Sequence, residues 1–281
     1  MVAAVQVARE HQPPVSMRGG GHQIAGSAVC DDGMVIDLSA MKGIHVDPLR
    51  QWPELMRAMP ESVTPEVLLW SVPPDPSIPS ELHWAKTIMV VRVYAGPAGE
   101  GEATLAPLRD LGTPLIDLSG TVPYTELQSS ADPLFPAGDR FYMKSLFLDS
   151  LPDEAIDTLL AWDARRPTPQ SLVALRTLGG AVARVGADES SYPHRSSRFN
   201  LSMDASWSEP ALDDAAVGWS RGTWEAMREY GDGGVYLNFS GFGDEADSLR
   251  GAVFGASAQR LAEVRDAYDP DGLFSEAARR P

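Results

Sequence analysis

Cysteine is nearly absent: Cys30 is the only one in 281 residues. That excludes an internal disulfide framework and any cysteine-rich metal site. Histidine is sparse as well. His11, His22, His45, His83 and His194 show no ligand-type pairing at helical or hairpin spacing, so no metal is expected. Positive charge is scarce, with 23 Lys and Arg against 39 Asp and Glu and a net charge of −16. A surface this acidic repels a phosphate backbone, so neither nucleic acid nor an acidic lipid surface is an expected partner. No run of about 18 apolar residues occurs, so no membrane-spanning helix is expected. No basic–apolar–small-residue leader opens the chain, and the expected location is the cytoplasm. There is no internal repeat and no low-complexity tract.

What is present suits a folded protein. Hydrophobic residues make up 43% and charged residues 22%, enough for a buried core in two domains or one large one. Residues 2–10 read as a helix with no capping residue before it, as though the chain began inside a domain. Pro13-Pro14 ends that helix. Short strands follow at 15–17 and 34–38, around a glycine-rich loop and the turn Asp31-Asp32-Gly33. Another strand should start at 44–48, and there the pattern stops.

From Leu49 the texture changes. Helical spacing recurs over 51–59, 100–111, 152–165, 213–228, 245–253 and 257–268. Strand patterns fall at 66–72, 87–94, 141–148, 171–178, 181–185, 199–205 and 235–239. Strict βαβ alternation is missing. The region therefore reads as α+β, a mostly antiparallel sheet with helices on one face.

Three motifs could carry chemistry. Arg18-Gly19-Gly20-Gly21-His22-Gln23-Ile24-Ala25-Gly26 sets three bare glycines beside an imidazole. Without Cβ atoms the backbone can reach positive φ and let an anion or ring approach main-chain N–H groups. It is neither a Rossmann fingerprint, since Ile24 stands where the third glycine belongs, nor a P-loop. A cofactor loop and a structural turn both remain open. Gly218-Trp219-Ser220-Arg221-Gly222 spells a nucleophile elbow, but it lies inside a helical pattern and no histidine follows it. In Val235-Tyr236-Leu237-Asn238-Phe239, strand alternation would place Tyr236 and Asn238 on one face, aimed into a cavity or simply solvated. His194-Arg195 suggests structural hydrogen bonds or a salt bridge. Phe141, Tyr142, Arg195, Asn200 and Trp207 are further candidates to line a substrate cavity.

The same residues carry a resemblance. Arg18–Gly26 followed by Val35-Ile36-Asp37-Leu38-Ser39 resembles the opening of FAD-linked oxidases of the berberine bridge enzyme type. Tyr236-Leu237-Asn238-Phe239, Arg260-Leu261-Ala262-Glu263-Val264 and Tyr268-Asp269-Pro270-Asp271-Gly272-Leu273-Phe274 resemble that family's C-terminal segment. Gly179-Gly180-Ala181-Val182-Ala183 and His194-Arg195 resemble its substrate domain. The resemblance implies a fragment of a PCMH-type FAD-binding domain over 1–48, a substrate domain over 49–229 and a berberine-bridge-type segment over 230–281. It implies FAD bonded covalently to His22, with Arg18, Gly19, Gly20, Gly21, Gln23, Ile24, Gly26 and Asn238 near the cofactor. Tyr236 matches a catalytic tyrosine. The implied reaction moves hydride from an alcohol or amine carbon of a small molecule to flavin, with dioxygen as acceptor. The pattern departs in its middle. After Asp47-Pro48, residue 49 onward resembles the start of the substrate domain, so most of the FAD domain is absent and strands 15–17 and 34–38 are expected to lack sheet partners. The cysteine of bicovalent members is lacking too. The alternative expectation is a truncated remnant that binds a small molecule or a protein without flavin.

Overall fold

The structure, a computed structural model, describes residues 15–18, 34–37, 48–76, 78–186, 189–241 and 249–273. The expected helix at 2–10, the glycine loop with His22, the turn at 31–33, the strand start at 44–47 and residues 245–248 of the expected helix 245–253 lie outside these residues. The chain divides into two compact units, Met1–Asp47 and Pro48–Pro281.

In the first unit, strands β1 (Val15–Arg18) and β2 (Met34–Asp37) pair with each other in parallel, in register from Val15↔Met34 to Arg18↔Asp37. The expectation that they lack partners is thereby corrected. Parallel pairing needs a crossover of about a dozen residues or more. The intervening stretch, which holds the glycine loop, is long enough to supply it.

The second unit is built on a five-stranded sheet of β3 (Val63–Ser71), β4 (Lys86–Tyr94), β5 (Arg140–Leu148), β6 (Leu172–Thr177) and β7 (Phe199–Trp207). Its order is β4-β3-β6-β7-β5 and every pairing is antiparallel. Helices α1 (Pro48–Ala58), α2 (Ala98–Arg109), α4 (Asp153–Asp163) and α6 (Asp213–Met227) bury their apolar residues in one core; the six-residue α3 (Tyr124–Ser129) has none buried. Leu49 and Trp52, Ile156 and Leu159, and Ala216, Trp219 and Met227 pack against Leu146, Leu148, Val173, Leu175, Leu201 and Met203. These strand residues alternate, so one sheet face carries the core, as period-two patterning dictates. Trp52 Nε1 donates to Thr177 Oγ1 (3.1 Å) and Trp219 Nε1 to the Trp162 carbonyl (2.9 Å), which seats two large rings without an orphaned N–H.

The elbow-like Gly218–Gly222 stretch is helical, inside α6. Ser220 is fully buried and donates to the Met203 carbonyl at 2.8 Å. A Cβ at Gly222 would come within 2.5 Å of the Trp162 ring, so this glycine serves helix packing. Two expected strands are not strands. Residues 181–185 fall largely in a short helix, α5 (Gly180–Arg184), reached through Gly179 and Gly180 at φ 140° and 51°. Positive φ at two successive residues turns the chain out of β6, and only glycine takes it cheaply. Leu237–Phe239 is one turn of 3-10 helix, for the reason given below. Near the C-terminus lie α7 (Arg250–Phe254) and α8 (Ala258–Tyr268).

Candidate functional site

Strand β5 is a sheet edge, and the segment after α6 covers it irregularly. Phe147 exchanges backbone hydrogen bonds with Asp232 and Gly234, and Lys144 bridges to Ser240. Between these points Ser145 takes over. Its Oγ accepts from the Tyr236 N–H (3.1 Å) and donates to the Phe239 carbonyl (3.1 Å), while Ser240 Oγ donates to the Leu237 carbonyl (2.8 Å). Hydroxyls that satisfy backbone groups locally compete with a strand ladder. That is why 237–239 curls instead of extending. Strand alternation therefore does not set Tyr236 beside Asn238, yet the curl still brings them together: Asn238 Nδ2 donates to the Tyr236 hydroxyl oxygen at 3.1 Å. The Tyr236 ring meets Phe239 edge-on, with centroids 5.3 Å apart.

Tyr236 lines a cavity of about 320 Å³ together with Phe147, Val182, Tyr192, Arg195 and Asn200. Phe147 and Asn200 are cross-strand partners on β5 and β7. Arg195 builds the wall rather than reaching outward. Its Nε donates to the Tyr192 carbonyl (3.2 Å), Nη1 to the Val182 carbonyl (3.3 Å) and Nη2 to Ser190 Oγ (2.6 Å), and the guanidinium lies 4.9 Å from the Tyr192 ring centroid. His194 stacks on Phe147 at 4.2 Å and donates from Nε2 to the Val253 carbonyl at 3.1 Å, a structural part as expected. Tyr192 has its phenol pushed up by burial, against the pull of Arg195.

Of the five cavity candidates named from sequence, Arg195 and Asn200 are brought together. The other three are elsewhere. Phe141 packs on Phe135 with centroids 5.4 Å apart, Tyr142 is buried and accepts from Arg221 Nε (3.1 Å), and Trp207 Nε1 donates to Asp213 (2.6 Å). Sequence reasoning missed Phe147, Val182 and Tyr192. Tyr192 stands two residues before His194 and was the most findable of them. Arg18 closes β1, so the strand delivers the chain directly to the triple glycine. Gly19, Gly20, Gly21, His22, Gln23, Ile24 and Gly26 themselves lie outside the described residues.

The sheet face away from the core also holds charge. Asn200, Ser202, Asp204 and Ser206 alternate along β7 and are all buried. Arg176 on β6 donates from Nη1 to Ser202 Oγ (2.8 Å) and lies 3.3 Å from Glu66 and 4.0 Å from Asp204. Burial pushes the Asp204 carboxyl up to about 6, with Arg176 opposing, and Oδ1 finds no hydrogen bond among the described residues. Because the folded-state pKa is raised, the folded protein holds the extra proton between about pH 4 and 6. Stability therefore falls as pH rises through that window. Asp204→Asn is expected to stabilise the protein at pH 8 by up to about 3 kcal/mol, since each tenfold change in proton affinity is worth about 1.4 kcal/mol. At pH 4 the gain should largely vanish. Denaturant unfolding of both proteins at the two pH values checks this, and an equal difference at both would refute it.

Comparison with known proteins accords with this architecture. Residues 1–52 match the family described as "FAD binding domain". An FAD-linked oxidoreductase of Dictyostelium discoideum is 24% identical over 225 residues, covering 76% of this chain and 48% of the relative. The monolignol oxidoreductase AtBBE-like 13 of Arabidopsis thaliana is 24% identical over 48% of this chain and 27% of its own. Among solved structures, GilR in complex with pregilvocarcin superposes with a TM-score of 0.64 at 20% identity, covering 81% of this chain and 50% of that one. Chitooligosaccharide oxidase gives 0.62 at 18% identity, covering 82% and 50%. These likenesses establish the shared fold, and the chain spans about half the length of the curated relatives it matches. Sheet, helical layer and N-terminal match are each similar to those of proteins named as FAD-linked oxidoreductases or oxidases. Proteins named as berberine bridge enzyme-like stand among both the relatives and the solved structures that the chain resembles. Among the described residues no helix is long and apolar enough to cross a membrane.

Proposed function

We propose that this chain is an FAD-dependent oxidoreductase that oxidises an alcohol or amine carbon of a small molecule. The observation that carries the proposal is the Asn238–Tyr236 hydrogen bond at the wall of a cavity large enough for a small substrate. The residues present fit a flavin at both ends of the chain. Arg18 hands the chain from a paired strand to Gly19, Gly20 and Gly21, whose amides suit an anionic cofactor, and His22 is the tether. When bound, FAD supplies the hydride acceptor, and dioxygen is the final oxidant. Tyr236, deprotonated to its phenolate, receives the proton that the substrate's hydroxyl or amine gives up. Asn238 holds the Tyr236 oxygen in place by donating to it, and Ser145 anchors the turn beneath. Phe147 and Val182 keep water from the reacting carbon. The relative named as a monolignol oxidoreductase favours an alcohol carbon.

One observation favours a second reading. All six cavity residues belong to the Pro48–Pro281 unit, so that unit could bind a small ligand without flavin. Purification of the full chain separates the two. A yellow protein with a flavin absorption spectrum is expected. A colourless protein that is folded by circular dichroism would sink the oxidoreductase reading and leave the second.

A further inference from the structure

The cavity is rich in hydrogen-bond donors that have no acceptor of their own. Asn200 is 5% exposed, and its Nδ2 has no partner among the described residues. The terminal amide rotates softly about χ2, so that N–H can swing to an acceptor that enters. The Tyr236 oxygen accepts from Asn238, so in its protonated form, before it serves as the base, its own O–H is left to donate. Tyr192 makes no hydroxyl hydrogen bond among the described residues. Anionic acceptors are missing from the wall: among the described residues no carboxylate lines the cavity, and its acceptors are the neutral Asn200 amide oxygen and tyrosine hydroxyls. Asp232, the acid whose charge reaches Tyr192, is occupied on both oxygens, by Ser197 Oγ at 2.6 Å and the Gly234 N–H at 2.7 Å.

Aromatic walls can also cage an ammonium ion, so the ring faces need the same accounting. One face of Tyr192 is taken by the Arg195 guanidinium, and one face of Phe147 by the His194 ring. Arg195 puts a fixed positive charge on the wall, which repels a second cation and attracts an anion. A protonated amine entering here would meet donors, a like charge and occupied ring faces.

We infer that the cavity binds a ring-bearing molecule whose polar groups are oxygen acceptors, neutral or anionic, and that it rejects protonated amines. The inference rests on reading this cavity as the seat of the reacting molecule, and it narrows that reading to oxygen-bearing substrates. The apolar contacts come from Phe147, Val182 and the two tyrosine rings. Asn200 and Tyr192 are then specificity residues that place the ligand's oxygen.

Three probes of matched size test this on the full chain: phenylacetate, 2-phenylacetamide and 2-phenylethylamine, titrated at neutral pH by calorimetry. The acid and the amide are expected to bind at least about tenfold tighter than the amine. Asn200→Leu and Tyr192→Phe should each weaken the amide about 3- to 10-fold, the value of one hydrogen bond. Both variants should stay folded, since neither group has a hydrogen-bond partner to lose among the described residues. The inference is overturned if the amine binds as tightly, if selectivity survives both substitutions, or if the folded chain binds none of the probes. A yellow protein that binds no probe keeps the oxidoreductase reading and ends this one. A colourless protein that prefers the two acceptors does the reverse.

Discussion

Acid precipitation of the His22→Ala protein is expected to leave a colourless pellet and a yellow supernatant, where the wild-type pellet stays yellow. On the proposed reading, a flavin bonded to His22 does not dissociate, so the wild type is expected to keep it whatever the remaining contacts contribute. Without the tether, retention falls to the non-covalent sum. Main-chain donors to a phosphate are charge-assisted and worth roughly 1.5–3 kcal/mol each, so every one absent costs about a tenfold or greater loss of affinity. The match to the FAD binding domain covers only residues 1–52. The tether is expected to dominate retention. The variant is expected to lose covalent flavin completely and much of its total flavin as well. Denaturing gel fluorescence under ultraviolet light reads the first quantity, and absorbance of the native protein reads the second. Covalent flavin undiminished in His22→Ala would overturn the assignment of the tether.

The parts of the fold legible in the sequence are those set by local periodicity. The run Thr87–Tyr94 is β-branched enough to mark a strand, and β4 covers it. Leu212, Ala216, Trp219, Thr223 and Met227 repeat at helical spacing, and α6 buries the last four of them. What stayed hidden was set at long range. Nothing around Tyr236 shows that Ser145, 91 residues earlier, will take its N–H and turn an apparent strand into a 3-10 curl. Ala181-Val182-Ala183 looks extended until two positive-φ glycines have already redirected the chain. Asp204 falls on what a period-two reading makes the outer, solvated face of β7, yet all nine residues of that strand are buried. The cavity shows the same division. Arg195 and Asn200 could be named as residues, but only folding places Phe147 opposite Asn200 and lays Arg195 on Tyr192.

Tyr236→Phe is expected to slow reduction of bound flavin by about 100-fold or more, the usual contribution of a positioned acid–base group. Flavin content should not change. The substitution removes one oxygen and little else. The ring keeps its edge contact with Phe239, the backbone N–H keeps Ser145, and Asn238, which is exposed, turns to water for its lost acceptor. A structural collapse of the turn would instead release the Ser145 bonds and expose Phe239, changing the unfolding midpoint along with the rate. Anaerobic stopped-flow reduction, paired with thermal unfolding, tells these apart. Tyr192→Phe supplies the contrast. It removes a hydroxyl from the same cavity but from a binding role, so it should raise the substrate concentration for half-maximal reduction and leave the limiting rate nearly intact. A Tyr236→Phe protein that reduces flavin at the wild-type rate would remove Tyr236 as the proton acceptor. The described carboxylates of this unit could not then replace it from the cavity wall, since none of them lines the cavity. The proton would then leave through Tyr192 or through water, and the Tyr192→Phe protein tells the two apart, since only the first route loses rate with that hydroxyl.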